Sequence, residues 1–537
     1  MNFDFMYYPY PSKRHVVFGT RGIVAASQPL AAQAGLEILK KGGNAIDAVV
    51  AAAACLPVVE PSSNGLGGDG FALIWSKGKL YGLNSSGYAP ALLDGDNLRS
   101  KGHTEMPMLG WIPVTVPGVT AGWAALSERF GKLDFADLLA PAIEFAENGY
   151  AVSPLIAKNW QNSFKLYSSK TFGKGLEFQP WFDTFAPKGE TPLAGEIVKL
   201  PYHANTLKEL AKTRCESFYR GEIADKIDAF SKKTGGLIRK EDLANFKPRW
   251  VEPISTNYRG YDVWEIPPNG DGIIALIALN ILEGFHFKGR FDADTVHKQI
   301  ESLKLAFEDG KRYVADAKFM DVTVSELLSK EYAEKRRALI GDNAIVPTAG
   351  NPTGGGTVYL CAADKEGNMI SYIQSNFEGF GSGVVVPETG IALQNRGWGF
   401  SLDPKSPNYA QPKKYPFHTI IPGFLTKNGD AVGPFGVMGG FMQPQGHLQV
   451  IANTIDFMMN PQAALDTPRW QWTGGKTVLV EASFPSQTAE KLKRMGHDII
   501  IESEPYSFGR GQIIWKMENG AYVGGTEPRT DGSVLAW

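Results

Sequence analysis

The chain is poor in cysteine. It has three in 537 residues, Cys55, Cys215 and Cys361, an odd number and far apart in sequence. That argues against a disulfide framework, leaves no cysteine pair close enough for zinc, and fits reduced, buried thiols. Long hydrophobic runs are also missing. The longest, AVVAAAACLPVV from Ala48 to Val59, spans 12 residues and contains Pro57. It is too short to cross a bilayer and reads as a buried helix, so no membrane partner is expected. Neither sign of charge is in excess: Lys+Arg total 54 against Asp+Glu 56, a net charge of −2. So even a balance offers no electrostatic footprint for nucleic acid. The N-terminus, MNFDFMYYPYPSKRHVVFG, has neither a basic n-region nor an apolar h-region, and a cytoplasmic location is expected.

Histidine is scarce too. The eight are His15, His103, His203, His286, His297, His418, His447 and His497, and no two have the spacing of paired helical metal ligands. No metal is expected. The serine-hydrolase elbow G-x-S-x-G occurs neither at Ser27 nor near Ser85, and Ser382 in GFGSGVVV sits between strand-like segments rather than at a strand-to-helix turn. Gly65-Leu66-Gly67-Gly68-Asp69-Gly70 has the glycine spacing of a dinucleotide loop in reversed context: a helical segment precedes it and the strand-like FALIWSKGKLYGL follows. It reads as a turn packed close to another backbone, and no cofactor is expected.

Glycine is what the chain has in surplus, 60 in all. Apolar spacing predicts two helices over 28–56, with Asn44 capping the second and Asp47 at its third position. The stretch from about 116 to 345 is mostly helical in pattern, interrupted by the strand-like YRGYDVWEIPP. From Thr357 the texture changes to short alternating strands and glycine turns, with one helix over GHLQVIANTIDFMMNPQAALD and a closing hairpin in GQIIWKMENGAYVGGTEP. A strand-rich half needs a helical cover, and the other half supplies it, which points to a layered α+β domain.

The junction between the halves reads PTGGGTVYLCAADKEGNMIS, from Pro352 to Ser371. An internal threonine is a poor nucleophile. An N-terminal threonine carries its own base, an α-amine of pKa roughly 7.7–8.0. Creating one requires cutting the bond before it, and Gly354, Gly355 and Gly356 permit the unusual backbone such an attack needs. Alone, the stretch reads rather as a flexible loop between the two halves, with Thr357 the first β-branched residue of a strand. FGVMGGFMQPQG adds a second signal: Gly439 and Gly440 end a strand just before a helix, where consecutive N–H groups can face an oxyanion, at roughly 3–4 kcal/mol per donor.

Several segments together resemble the γ-glutamyltranspeptidase (glutathione hydrolase) family. They are GIVAASQPLAAQAGLEILKKGGNAIDAVVAAAACLPVVEPSSNGLGGDGF, VPGVTAGWAAL, FYRGEIADKI, GGLIRKEDLANF, TVYLCAADKEGNMIS, GVMGGFMQPQGHLQVIANTIDFMMNPQAALDTPRW and GGTEPRTDG, in order from residue 22 to the C-terminus. The resemblance implies an N-terminal-nucleophile hydrolase with a four-layer αββα sandwich. It implies self-cleavage between Gly356 and Thr357, giving chains 1–356 and 357–537 that remain together as a heterodimer in one domain, with a dimer of heterodimers allowed. It implies Thr357 as nucleophile, Gly439 and Gly440 as oxyanion hole, and Ser375 in the place of a second threonine that bonds the nucleophile. The implied substrate is a small-molecule γ-glutamyl amide.

The substrate pocket departs from the family. LNSSGYAP has Ser86 and Tyr88 where an arginine precedes Ala-Pro. Gly399 replaces the amine-holding acid. His418 and Thr419 replace paired serines, and the asparagine of the pocket aligns near Asn376 and Phe377. The segment from Phe400 to Pro416 is short for a lid, which favours water as acceptor. Arg396 is the new cation in the pocket-lining stretch. It is expected either to hold the carboxylate of another acidic acyl group, such as glutaryl, or to form a structural ion pair at the rim. Loss of both contacts to a glutamyl head costs on the order of 1.5–3 kcal/mol each. Tyr88, Asn376, His418 and Thr419 are the other candidate substrate contacts. A non-catalytic, unprocessed homologue serving as a binding protein is the alternative.

Overall fold

The computed structural model describes residues 13–169, 175–347 and 356–537. Two seven-stranded sheets organise it. The first runs, in spatial order, Ser533–Ala536, Gly22–Ala26, Gly356–Asp364, Met369–Phe377, Asp69–Ser76, Lys79–Ser85 and Arg249–Val251. The second runs Val17–Gly19, Tyr522–Thr526, Arg510–Lys516, Asp430–Met438, Gly423–Lys427, Tyr261–Glu265 and Ile254–Tyr258. Their pairings are antiparallel throughout. Both sheets mix strands from before and after residue 356, so the helix-rich and strand-rich halves share one sandwich.

Each sheet is covered by helices on its outer face. Helix Ala45–Val59 lies on the strands Gly356–Asp364 and Met369–Phe377. All of its residues are buried, as expected of an Ala-rich run apolar on every side. Asn44 starts it through a capping box with Asp47. On the other side helix Met442–Ile455 packs on Asp430–Met438, and helix Gly272–Leu282 packs on the Ile254–Glu265 hairpin. Between the sheets lies a third apolar layer including Ile23, Phe71, Leu73, Tyr359, Ile373, Phe424, Met438 and Ile514. The result is the four-layer αββα arrangement, an α+β sandwich with helices outside and sheets within.

The predicted hairpin forms with its turn at 365–368. Gly367 there has φ +83°, which a residue with a Cβ rarely adopts. TIIPGFLT differs from expectation. Its strand starts only at Gly423: the Ile421 N–H donates to Gln443 Oε1 at 3.0 Å, and Pro422 has no N–H to give to a ladder.

Candidate active site

Thr357 is the second residue of the strand Gly356–Asp364 and is 1% exposed. Opposite it the ladder slips by one residue: Gly356 pairs with Phe377 but Val358 with Gln374. This bulge sets Ser375 and Asn376 against the single residue Thr357 and re-aims Ser375. The Ser375 Oγ lies 3.0 Å from Thr357 Oγ1. It also accepts the Phe377 N–H at 2.7 Å, so its own proton can be given to Thr357. Phe377 holds φ +78°, a strained value for an aromatic residue at the end of a strand. Gly354 and Gly355 lie outside the described residues.

Two contacts fix how the sheets face each other here. Ser371, paired with Cys361, donates to the Phe435 carbonyl at 3.4 Å, and a Cβ on Gly436 would meet the Tyr359 ring at 2.4 Å. As 435 steps to 436, the facing residue steps from 361 to 359. The strand Asp430–Met438 therefore ends toward Thr357, followed there by Gly439 and Gly440 with φ +140° and +56°. Their N–H groups have no backbone or side-chain acceptor among the described residues, while their carbonyls accept from Met442 and Gln443 to start the next helix. Free N–H groups at such a turn suit an anionic oxygen.

The glycine loop 65–70 is a close packing turn, as read from the sequence. A Cβ on Gly68 would lie 2.4 Å from the Ser375 carbonyl, and one on Gly65 would lie 2.7 Å from the Asn376 amide. The loop thus seats the residues that face Thr357. It also delivers Asp69, whose Cα pairs with that of Ser375. Asp69 accepts from Gly87 N–H and Gln394 Nε2, both at 2.9 Å, and its other oxygen is 2.9 Å from His418 Nε2. Burial pushes Asp69 up to about 7 and, with Arg396 nearby, pushes His418 well below its usual value. His418 Nδ1 accepts the Ile420 N–H at 3.5 Å, which leaves its Nε2–H to donate to Asp69.

Arg396 is fully buried rather than at the rim, and it has no ion-pair partner within 4 Å among the described residues. Its Nη1 donates to Thr419 Oγ1 at 2.8 Å, and its guanidinium carbon sits 3.9 Å above the Phe377 ring. Nε and Nη2 have no partner among the described residues. Burial lowers this guanidinium to about 10, opposed by the charges of Asp69, Asp271 and Glu378. Asn376 is buried with both amide atoms unpartnered among the described residues. Thr357, Ser375, Phe377, Arg396, Thr419, His418 and Asp69 thus form one connected cluster. Tyr88 is placed differently: its hydroxyl donates to the Asp242 carbonyl at 2.8 Å, and its ring packs on Phe246 and Tyr415.

Sequence reasoning missed three acidic residues here. Asp69 was within a noted motif but read only as turn. Asp271 follows Gly270, which bridges His418, and Asp271 N–H donates to the His418 carbonyl at 2.8 Å. Glu265 bonds His447 at 2.6 Å, and burial drives both toward their neutral forms. No local pattern distinguishes such residues from ordinary turn and strand acids. A separate buried group, His297, Glu301 and His497, has ligand atoms within 4.8 Å of one another. Lys304 already supplies a cation there, 2.7 Å from Glu301 Oε1, and the two imidazoles bond each other at 2.8 Å. Of the four ring nitrogens, His497 Nδ1 alone has no hydrogen-bond partner among the described residues.

The family model described as Gamma-glutamyltranspeptidase matches residues 31–537. Among curated proteins, the chain is 36% identical over 535 residues to the glutathione hydrolase-like YwrD proenzyme of Bacillus subtilis, covering 97% of this chain and 99% of that one. It is 33% identical to the oxamate amidohydrolase proenzyme of Klebsiella pneumoniae, covering 96% and 99%. Among solved structures, a cephalosporin acylase from Bacillus halodurans superposes with a TM-score of 0.97 at 58% identity, covering 100% and 99%.

Proposed function

We propose that this chain, which belongs to the gamma-glutamyltranspeptidase family of hydrolases and acyltransferases, is a self-cleaving threonine amidohydrolase for amides of short acidic acyl groups. γ-Glutamyl amides are one such class, and water is the favoured acceptor. The observation that carries the reading is the pairing of Thr357 with Ser375 beside a fully buried, incompletely bonded Arg396. The names of the relatives, a glutathione hydrolase-like proenzyme, an oxamate amidohydrolase and a cephalosporin acylase, support the reaction class and differ in substrate.

Thr357 Oγ attacks the Gly356 carbonyl carbon, the C–N bond breaks, and the acyl group moves to oxygen as an ester. Water hydrolyses that ester, leaving a Gly356 carboxylate and a free Thr357 α-amine. In turnover the amine takes the Oγ proton as Oγ attacks the substrate amide. The Gly439 and Gly440 N–H groups stabilise the oxyanion, and the proton passes to the leaving nitrogen as the amide C–N bond breaks. Water then hydrolyses the acyl ester. Arg396 holds the acyl group's remote carboxylate.

The test is the purified protein assayed against γ-glutamyl, glutaryl and uncharged butyryl anilides and oxamate, beside Arg396→Gln. Preference for acidic acyl groups, lost in Arg396→Gln, supports the reading. Equal rates on butyryl and glutaryl anilides would sink it. A single uncleaved chain with no activity would favour a non-catalytic binding protein instead.

A further inference from the structure

Asp271 stands at the N-cap of helix Gly272–Leu282, where an aspartate ordinarily accepts from the first turn's N–H groups. Its side chain makes no such bond. The residue is fully buried, and among the described residues neither carboxylate oxygen has a hydrogen-bond partner. Arg396 is the opposite charge that acts on it, against the stronger effect of burial. The two do not pair, although two nitrogens of Arg396 are unpartnered among the described residues. Leaving either group unsatisfied in the interior costs several kcal/mol, and direct pairing would relieve both. The backbone instead fixes them apart. Asp271 N–H is bound to the His418 carbonyl, His418 to Asp69, and Arg396 to the next residue, Thr419. A guanidinium short of acceptors and a carboxyl short of donors, anchored on consecutive residues of one segment, are complementary to a group that presents an acceptor to one and a donor to the other.

We propose that Asp271 is a specificity-determining residue of the acyl pocket, reading a hydrogen-bond donor on the acyl group, an ammonium or a hydroxyl, while Arg396 holds that group's carboxylate. The inference rests on the reading of Arg396 above and deepens it. It separates substituted acyl groups from the plain diacid chain of glutaryl. Ionised or protonated, the Asp271 side chain keeps an oxygen that accepts from such a donor.

The experiment measures kcat/KM of the processed wild type, Asp271→Asn, Asp271→Leu and Arg396→Gln on three anilides: glutaryl, its 2-hydroxy derivative and γ-glutamyl. Two bands on denaturing electrophoresis show that each variant has folded and cleaved. The wild type is expected to favour a donor-bearing acyl group over glutaryl by at least ten-fold, with the ratio falling to near one in Asp271→Leu and to an intermediate value in Asp271→Asn. A structural role would lower all three rates together and leave the ratio intact. A ratio unchanged in both Asp271 variants, or a wild type that prefers glutaryl, overturns the proposal. Arg396→Gln reports separately: if it spares all three acidic substrates, the underlying reading fails, whatever Asp271 does.

Discussion

Two buried charge clusters in this molecule are built in opposite ways. Around Glu527, every charge is matched. Arg469 donates to it at 2.8 Å, Gly511 N–H at 2.8 Å, and Arg529 bonds both Glu527 and Glu481, the latter at 2.6 Å through Nε. The pairing pulls Glu527 below the usual carboxylate range despite burial, and raises Arg529. Around Arg396 and Asp271 burial wins: the guanidinium is lowered to about 10 and the carboxyl raised well above its ordinary value. The same fold can pair interior charges, so on the proposed reading the unpaired set beside Thr357 is a place kept for a ligand. On the proposed reading, satisfied networks hold the framework and the unsatisfied one meets the substrate.

The contrast can be broken at either cluster. The largest effect on stability is expected from Glu527→Gln, which strands Arg469. The thermal midpoint should fall by an amount equivalent to ~3–5 kcal/mol. If calorimetry finds no change, the paired cluster is not structural. Arg396→Met should do the reverse, leaving the midpoint unchanged or higher, while kcat/KM for acidic acyl anilides drops by ~1.5–3 kcal/mol, roughly ten- to a hundred-fold. A destabilised Arg396→Met would place this arginine in the framework.

A pH series sharpens the comparison further. The folded-state pKa of Asp271 is raised, so its ionisation opposes folding. The cost is absent below the unfolded value of about 3.9 and grows as pH rises toward the folded value. Asp271→Asn should therefore stabilise the protein at pH 8 and match the wild type near pH 4. Glu527 has the opposite sign. Its contribution is full above the unfolded value of about 4.3 and is lost as pH falls through the folded one. Parallel pH curves for Asp271→Asn and wild type would contradict the assignment. The smallest effect belongs to Ser375→Ala. Losing one hydrogen bond of about 1–1.5 kcal/mol should slow self-cleavage and turnover by about ten-fold, read by band intensities over time and by kcat.

Local features were legible in the sequence. The Asn44–Asp47 capping box, the hairpin beginning at Thr357, the all-buried Ala48–Val59 run and the close packing at Gly65–Gly70 each follow from short-range rules, and the structure has them. Arg396 was visible as a cation in a pocket-lining stretch, but its full burial was not. What stayed hidden depends on long-range pairing. Asp69 meets His418 across 349 positions, and no periodicity announces such a contact. The one-residue slip opposite Thr357 is equally silent, because alternation is the same on either side of a bulge. Asp271 was hidden because an acid after Asn-Gly looks like turn chemistry, and only its unpartnered oxygens tell otherwise.

The central claim is that Thr357 is made into a nucleophile by the chain's own cleavage. The most direct measurement is the intact mass of the purified wild type and of Thr357→Ala, with each sample assayed on an acidic acyl anilide. The account predicts two wild-type masses, corresponding to 1–356 and 357–537, with activity, and one full-length mass without activity for the variant. An active Thr357→Ala protein, or a wild type that turns over substrate as a single uncut chain, would contradict it.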